Sequence, residues 1–334
     1  MNLAPLRPLV AALLIVLVGC QSKPQPRNPS PPAKAPPPPP RVNAAIDRDL
    51  REKAMRELAS GFASPDPVLR ANAVEAAQRG LGVGGRDRLL GALADPDALV
   101  RFSATMACGS LEMESARQTL EGMVDDQSLR VQIGVRFALH RLGDTRRSHD
   151  LENYARDPSP GVRADTVLAL GLLGEPSAVK ILRSLRRDPS PLVRLQVVEA
   201  MYRLGDEQAK QELLAGTISN YADDQIVSIL ALSQPGQRDR TIETILRGKL
   251  TNDYPEVTLA AARALGTLGL DDGTGVAIAG TGAKDPRQRA LAALALGAIG
   301  RTDTQPQLGK LLGDNNPSVR LAAAAAVLQL GKTS

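Results

Sequence analysis

From residue 64 onward the apolar positions fall on helical stripes that return at a fixed interval. A phrase Asp-Pro-x-x-x-Val-Arg opens many of the intervals, as in Asp95 to Arg101, Asp157 to Arg163, Asp188 to Arg194 and, with Asn in place of Pro, Asp314 to Arg320. With the arginine as origin, the equivalent positions are Arg70, Arg101, Gln132, Arg163, Arg194, Gln225, Thr258, Arg289 and Arg320. They are 31 residues apart, except for 33 between Gln225 and Thr258. Six residues after each origin stands an alanine: Ala76, Ala107, Ala138, Ala169, Ala200, Ala231, Ala264, Ala295 and Ala326. Around Arg194 the apolar residues are Val193, Val197, Ala200, Met201 and Leu204, a helical stripe with the small residue at its middle. Such an alanine lets two helix backbones come close.

Eleven residues after the origin a glycine follows at Gly143, Gly174, Gly205, Gly236, Gly269, Gly300 and Gly331, suited to the left-handed end of a helix. A second amphipathic stretch comes next, for example Ala178 to Leu185, and the following Asp-Pro suits a turn or N-cap with proline in a first helical turn. Each interval therefore predicts helix, turn, helix. Neither helix can bury its stripe alone, so the units must stack into an all-α superhelix of about nine two-helix repeats over residues 42–334. Residues 43–60 predict one more helix completing the first unit, with Ile46, Leu50, Ala54 and Leu58 inward. Its face of Asp47, Arg48, Arg51, Glu52 and Lys53 is polar, as a terminal cap requires.

Two stretches depart from the pattern. Tyr221 to Thr258 replaces the arginine twice, puts Asp224 in an apolar slot and adds two residues, which predicts a bend or hinge. Residues 270–283 carry four glycines where a second helix belongs, each costing about 1 kcal/mol relative to alanine. A short, weakened helix and plain repeat degeneracy are expected there.

Composition narrows the core further. With no Trp, three Phe and four Tyr, it must be built from aliphatic and small side chains. The N-terminus changes the reading of charge. Residues 1–19 have the form of an export signal, with Arg7 followed by the apolar run Leu9 to Val18, too short to span a bilayer. The segment ends Leu17-Val18-Gly19-Cys20, which resembles the lipobox of bacterial lipoproteins. That resemblance implies that Cys20 becomes the lipidated first residue, and Gln21 after it implies sorting to the outer membrane. Residues 20–41 are then a tether. The stretch from Ser22 to Arg41 holds ten of the chain's 25 prolines and favours extended polyproline II. Residues 1–41 contain five basic residues and no acid, so the remainder carries 36 basic against 36 acidic residues. The high isoelectric point belongs to signal and tether and gives no reason to expect nucleic acid.

The repeat phrase resembles the HEAT-like repeats of the phycobilin-lyase type over about residues 45–333. The resemblance implies a structural ladder in which Arg70, Arg101, Arg163, Arg194, Arg289 and Arg320 meet aspartates of successive units and the turn backbones. It implies no lyase site. Deoxyhypusine hydroxylase shares the architecture and holds iron with His-Glu pairs, and no His-Glu dipeptide occurs in this sequence.

Reactive groups are few. Cys108 falls in an apolar column where other repeats have Leu139, Leu170, Met201, Leu232, Leu265 and Leu296, and reads as core. His140 stands eight residues after its origin, where Tyr202 and several glycines also occur, and borders a groove. His149 lies in a loop or helix start. Gly80 to Gly85 lacks the strand and Lys-Ser/Thr of a phosphate loop, and Asp271 to Gly275 lacks the spaced oxygens of a calcium loop. The expectation is a non-enzymatic interaction scaffold, monomeric, with no catalytic residue, metal or cofactor. It is held at the bacterial cell envelope, on the periplasmic face of the outer membrane or the cell surface, by its lipid. Its groove receives a protein or peptide, with Arg141, Tyr202, Tyr221 and Tyr254 as candidate contacts. Two alternatives stand beside it: an envelope enzyme or enzyme subunit with a metal on Asp223, Asp224 and Asp271, and a spacer between membrane and wall.

Overall fold

A computed structural model describes residues 45–234 and 239–330, apart from the side chain of residue 147. The signal-like segment, Cys20, the tether, Gly236 and Gly331 lie outside the described residues. Every regular element among the described residues is helical. They group into two compact units. The first comprises Ser64–Gln78 and Gly82–Glu212; the second comprises residues 45–63, Arg79–Leu81 and the residues from Leu213 onward.

The first helix among the described residues is α1 (Arg48–Phe62), which belongs to the second unit. The first unit alternates long and short helices: α2 (Pro67–Leu81, whose last turn belongs to the second unit), α3 (Arg86–Ala92), α4 (Ala98–Ser110), α5 (Arg117–Gly122), α6 (Leu129–Arg141), α7 (Leu151–Tyr154), α8 (Pro160–Leu173), α9 (Val179–Ser184), α10 (Pro191–Arg203) and the start of α11 (Glu207–Gly216). The long helices α4, α6, α8 and α10 pack in sequence order, each on the next. The alanine column forms the seam: Ala107, Ala138, Ala169 and Ala200 are all buried. Glycines two residues further on close it. A Cβ on Gly109 would stand 2.7 Å from the Cα of Ala138, and one on Gly171 2.9 Å from the Cα of Ala200. No side chain fits at that approach.

The second unit continues the rule with α12 (Ala222–Leu232), α13 (Arg240–Lys249), α14 (Pro255–Thr267), α15 (Thr274–Gly280), α16 (Pro286–Ile299), α17 (Gln305–Leu311) and α18 (Pro317–Gln329). Here α12, α14, α16 and α18 form the row, and α1 packs on α18. The expected first-unit cap is therefore a cover for the last long helix. Leu50, Ala54 and Leu58 of α1 are buried. The Asp47 N–H donates to Gln305 Oε1 at 2.6 Å, Gln305 Nε2 donates to the Ala45 carbonyl at 2.8 Å, and Arg320 Nε donates to Glu57 at 3.0 Å.

The glycine-rich stretch is not mere degeneracy. A Cβ on Gly273 would lie 2.5 Å from the Cα of Ala262, and one on Gly280 2.7 Å from Leu259 Cδ2, so α15 is short and pressed onto its neighbours. Nor does the ladder lapse at Gln225. Its Nε2 donates to the Ser219 carbonyl at 2.7 Å, while its Oε1 accepts from Lys249 Nζ and Asn252 Nδ2. Amide groups replace the ion pair, and Asp224 is exposed and accepts from Ser219. The helix-ending glycines Gly143, Gly174, Gly205, Gly269 and Gly300 all have positive φ; at the same place in the second repeat stands Glu112, φ 49°.

Candidate functional site

Between the close-packing glycines of α4 and α8 the first unit places a polar side chain. Eight residues after its origin, where Gly109 and Gly171 permit close packing, α6 carries His140. The helices α6 and α8 accordingly meet less extensively than α4 and α6. Beside His140 opens a cleft of about 520 Å³, within the span of small-ligand sites. It is walled by the end of α6, the 3-10 turn Thr145–Asp150, α7, the end of α8 and α9.

Both histidines of the chain line it, together with Glu152, Arg156, Glu175 and Lys180. His140 Nε2 lies 3.3 Å from Glu175 Oε1, while its Nδ1 is buried with no partner. A ligand cannot reach Nδ1, so His140 acts on the cleft through the carboxylate it holds. Arg156 donates to Glu152 at 2.6 Å across one helical turn. Ser148 and Ser184 donate to the carbonyls of Thr145 and Ile181, so their oxygens face the cleft as acceptors. The floor is apolar, with Ala155, Leu170, Ala178 and Ile181. Two acids and two bases offset each other, so the cleft offers hydrogen bonds of both senses around an apolar base. That suits a peptide segment better than a polyanion.

The candidate contacts do not converge there. Arg141 is exposed and bonded to Glu112 rather than lining the cleft. Tyr202 is buried, so it offers no surface anchor. Tyr221 is exposed at the N-cap of α12, and Tyr254 is half-buried at the N-cap of α14. Of the suspected metal-binding aspartates, Asp223 pairs with Arg287, Asp224 accepts from Ser219, and Asp271 pairs with Arg301. Among the described residues no group of three His, Cys, Asp or Glu could hold a metal ion. Cys108 is wholly buried, and burial pushes its thiol up to about 12. Sequence reasoning missed Glu152, Arg156, Glu175 and Lys180; the one signal pointing to them was a histidine at a position where α4 and α8 carry glycine.

The ladder arginines share one geometry. The Nη1 of Arg70, Arg101, Arg163 and Arg289 donates to two turn carbonyls six and five residues earlier. Their Nε and Nη2 form a fork on both oxygens of Asp95, Asp126, Asp188 and Asp314, at 2.6–2.9 Å. Donation from Arg163 holds the Asp188 carboxyl below its ordinary range, and Arg289 does the same for Asp314.

Stacked helix pairs joined by such a ladder define an α–α repeat protein. Residues 53–140, 149–233 and 276–334 match HEAT repeats, and the chain belongs to the HEAT-repeat family. No curated protein shows detectable sequence similarity to the chain. Among solved structures, it is similar to human deoxyhypusine hydroxylase in complex with glycerol: 20% identity, 77% of this chain and 98% of that one, TM-score 0.40. It is also similar to the complex of CpcE and CpcF of phycocyanin lyase from Nostoc sp.: 17% identity, 72% and 94% coverage, TM-score 0.39. The expectation of a non-enzyme is corrected by these likenesses, since enzymes occur among the similar structures. They assign no reaction to this chain.

Proposed function

We propose that the chain is an interaction scaffold of the bacterial envelope, anchored by a lipid on Cys20 and presenting its repeats on the proline-rich tether. The cleft beside His140 receives a segment of a partner protein or a peptide. The observation that carries this reading is the cleft itself, about 520 Å³ beside His140 and lined by donors and acceptors together with apolar side chains. Stacked repeats supply extended surfaces of the kind used for binding.

The test is affinity capture from solubilised envelopes with full-length wild type and with Ser177→Trp, whose new side chain fills the cleft from an exposed lining position. Partner recovery should fall with Ser177→Trp while the unfolding midpoint stays. Equal recovery from both refutes the cleft as the binding site. If neither retains a protein, the scaffold reading fails and a spacer between membrane and wall takes its place. Mass spectrometry of the mature N-terminus tests the anchor: an unmodified Cys20 removes it.

A further inference from the structure

The cleft beside His140 is built wholly from residues of the first unit, and the charges around it are not all spent. The two carboxylates that line it each hold a base of this chain: Glu175 lies 3.3 Å from His140 Nε2, and Glu152 accepts from Arg156 at 2.6 Å. The acids flanking the 3-10 turn Thr145–Asp150 are taken as well, Asp144 by Arg146 and Asp150 by Arg136. Lys180 and His149 also line the cleft and are exposed, and no acid among the described residues pairs with either side chain.

The surplus continues along α9. Ser177, Lys180, Ile181 and Ser184 recur at helical spacing and face the cleft. Arg183, on the same helix, and Arg187, in the turn after it, extend the basic side; both are exposed and without an acid partner among the described residues. An occupant therefore meets an unneutralised ammonium and an imidazole N–H above an apolar floor. A carboxylate satisfies them, whereas an arriving cation finds only acids already paired. Glu152 and Glu175, fixed in the same lining, repel a doubly charged phosphate more than a singly charged carboxylate. A chain-terminal carboxylate uses Lys180 alone, while cations strung over Lys180, Arg183 and Arg187 match acids spaced along a segment.

We propose that the segment received by the cleft is acidic: one apolar side chain rests on Ala155, Leu170 and Ile181, and Asp or Glu residues on either side of it meet Lys180, His149 and the two arginines. The proposal rests on the reading of the cleft as the binding site and adds the chemistry that the partner must bring. Reversing one of these charges should lower affinity about tenfold.

The test uses full-length protein and three blocked peptides that differ only in charge: acetyl-Glu-Glu-Leu-Glu-Glu-amide and its counterparts with glutamine or lysine in place of every glutamate. Both histidines of the chain line the cleft, so their ring-proton signals in NMR spectra report its occupancy, with His149→Gln to assign them. The acidic peptide should shift the His149 signals and bind roughly tenfold more tightly than the glutamine peptide. Lys180→Glu should remove that advantage without moving the unfolding midpoint. Equal binding of the acidic and glutamine peptides overturns the proposal, as does preference for the lysine peptide or binding of none of the three. Phosphatidylglycerol vesicles that bind through Lys180 and are not displaced by the acidic peptide overturn it too, and make the basic edge a lipid site. In envelope capture, a partner lost with Ser177→Trp but retained with Lys180→Glu sinks the acidic occupant and leaves the cleft standing. Capture of nothing by wild type, with no peptide bound, sinks the scaffold reading as well.

Discussion

Asp165 lies on α8, two residues beyond the ladder arginine Arg163, and is fully buried in the first unit. Its counter-charge is Arg130 on α6, whose Nε stands 3.0 Å away and whose guanidinium lies over the Phe102 ring at 5.5 Å. Neither carboxylate oxygen accepts a well-directed hydrogen bond. Burial dominates and raises the carboxyl to about 7, against the opposing pull of Arg130. The folded state then holds a proton on Asp165 that the unfolded chain, with an ordinary carboxyl near pH 4, has already released. Stability from this group is therefore complete at low pH and is lost as pH climbs from about 4 through about 7, by at most roughly 4 kcal/mol. Asp165→Asn keeps the shape and removes the titration. Urea unfolding followed by circular dichroism between pH 4.5 and 8.5 should show the wild type falling relative to the variant and running parallel to it above pH 8. Taking the difference cancels the aspartates of the ladder, whose contributions have the opposite sign and are lost in acid. A constant difference across the range, or wild type gaining on the variant as pH rises, would refute the reasoning.

Other outcomes follow from the same packing. Gly171→Ala sets a Cβ within 3 Å of Ala200, and should destabilise the first unit by about 1–3 kcal/mol in urea unfolding. Glu112→Gly relieves a left-handed backbone position and should be neutral or stabilising by up to about 1 kcal/mol, whereas Gly174→Glu should cost about 1–2 kcal/mol. Arg163→Ala leaves the buried Asp188 carboxylate without its fork and should cost about 3 kcal/mol, with Arg163→Lys recovering only part of it. Cys108 should resist thiol reagents in the folded protein at pH 8 and react fully in denaturant, because burial keeps it protonated.

How much was legible in the sequence can be judged residue by residue. The long helices lie where the period puts them, and the alanine column is the buried seam. Both follow from local rules: a stripe at helical spacing must be covered, and a small residue recurring at its middle marks where backbones meet. The aspartates stand in turns before the long helices, as their partnership with the turn predicts. Asp95 and Asp188 each accept the N–H two residues on while also receiving an arginine fork. The glycine-rich stretch before α16 was misread because composition reports the helix propensity a glycine loses and not the neighbour it admits. Only the position of Ala262 shows why Gly273 carries no side chain.

The amino-acid sequence by itself determined the repeat, its helix boundaries, the identity of the seam and the inert setting of Cys108, because each depends on residues close together along the chain. Tertiary structure decided what depends on residues far apart. It grouped the described residues into two units, laid α1 on α18 so that Glu57 serves Arg320, pressed Gly273 onto Ala262, and opened the cleft beside His140. The physical reason is common to all four. A repeat specifies how each helix meets its neighbour in register, while the places where that register ends or is broken are filled or left open according to which surfaces folding brings together.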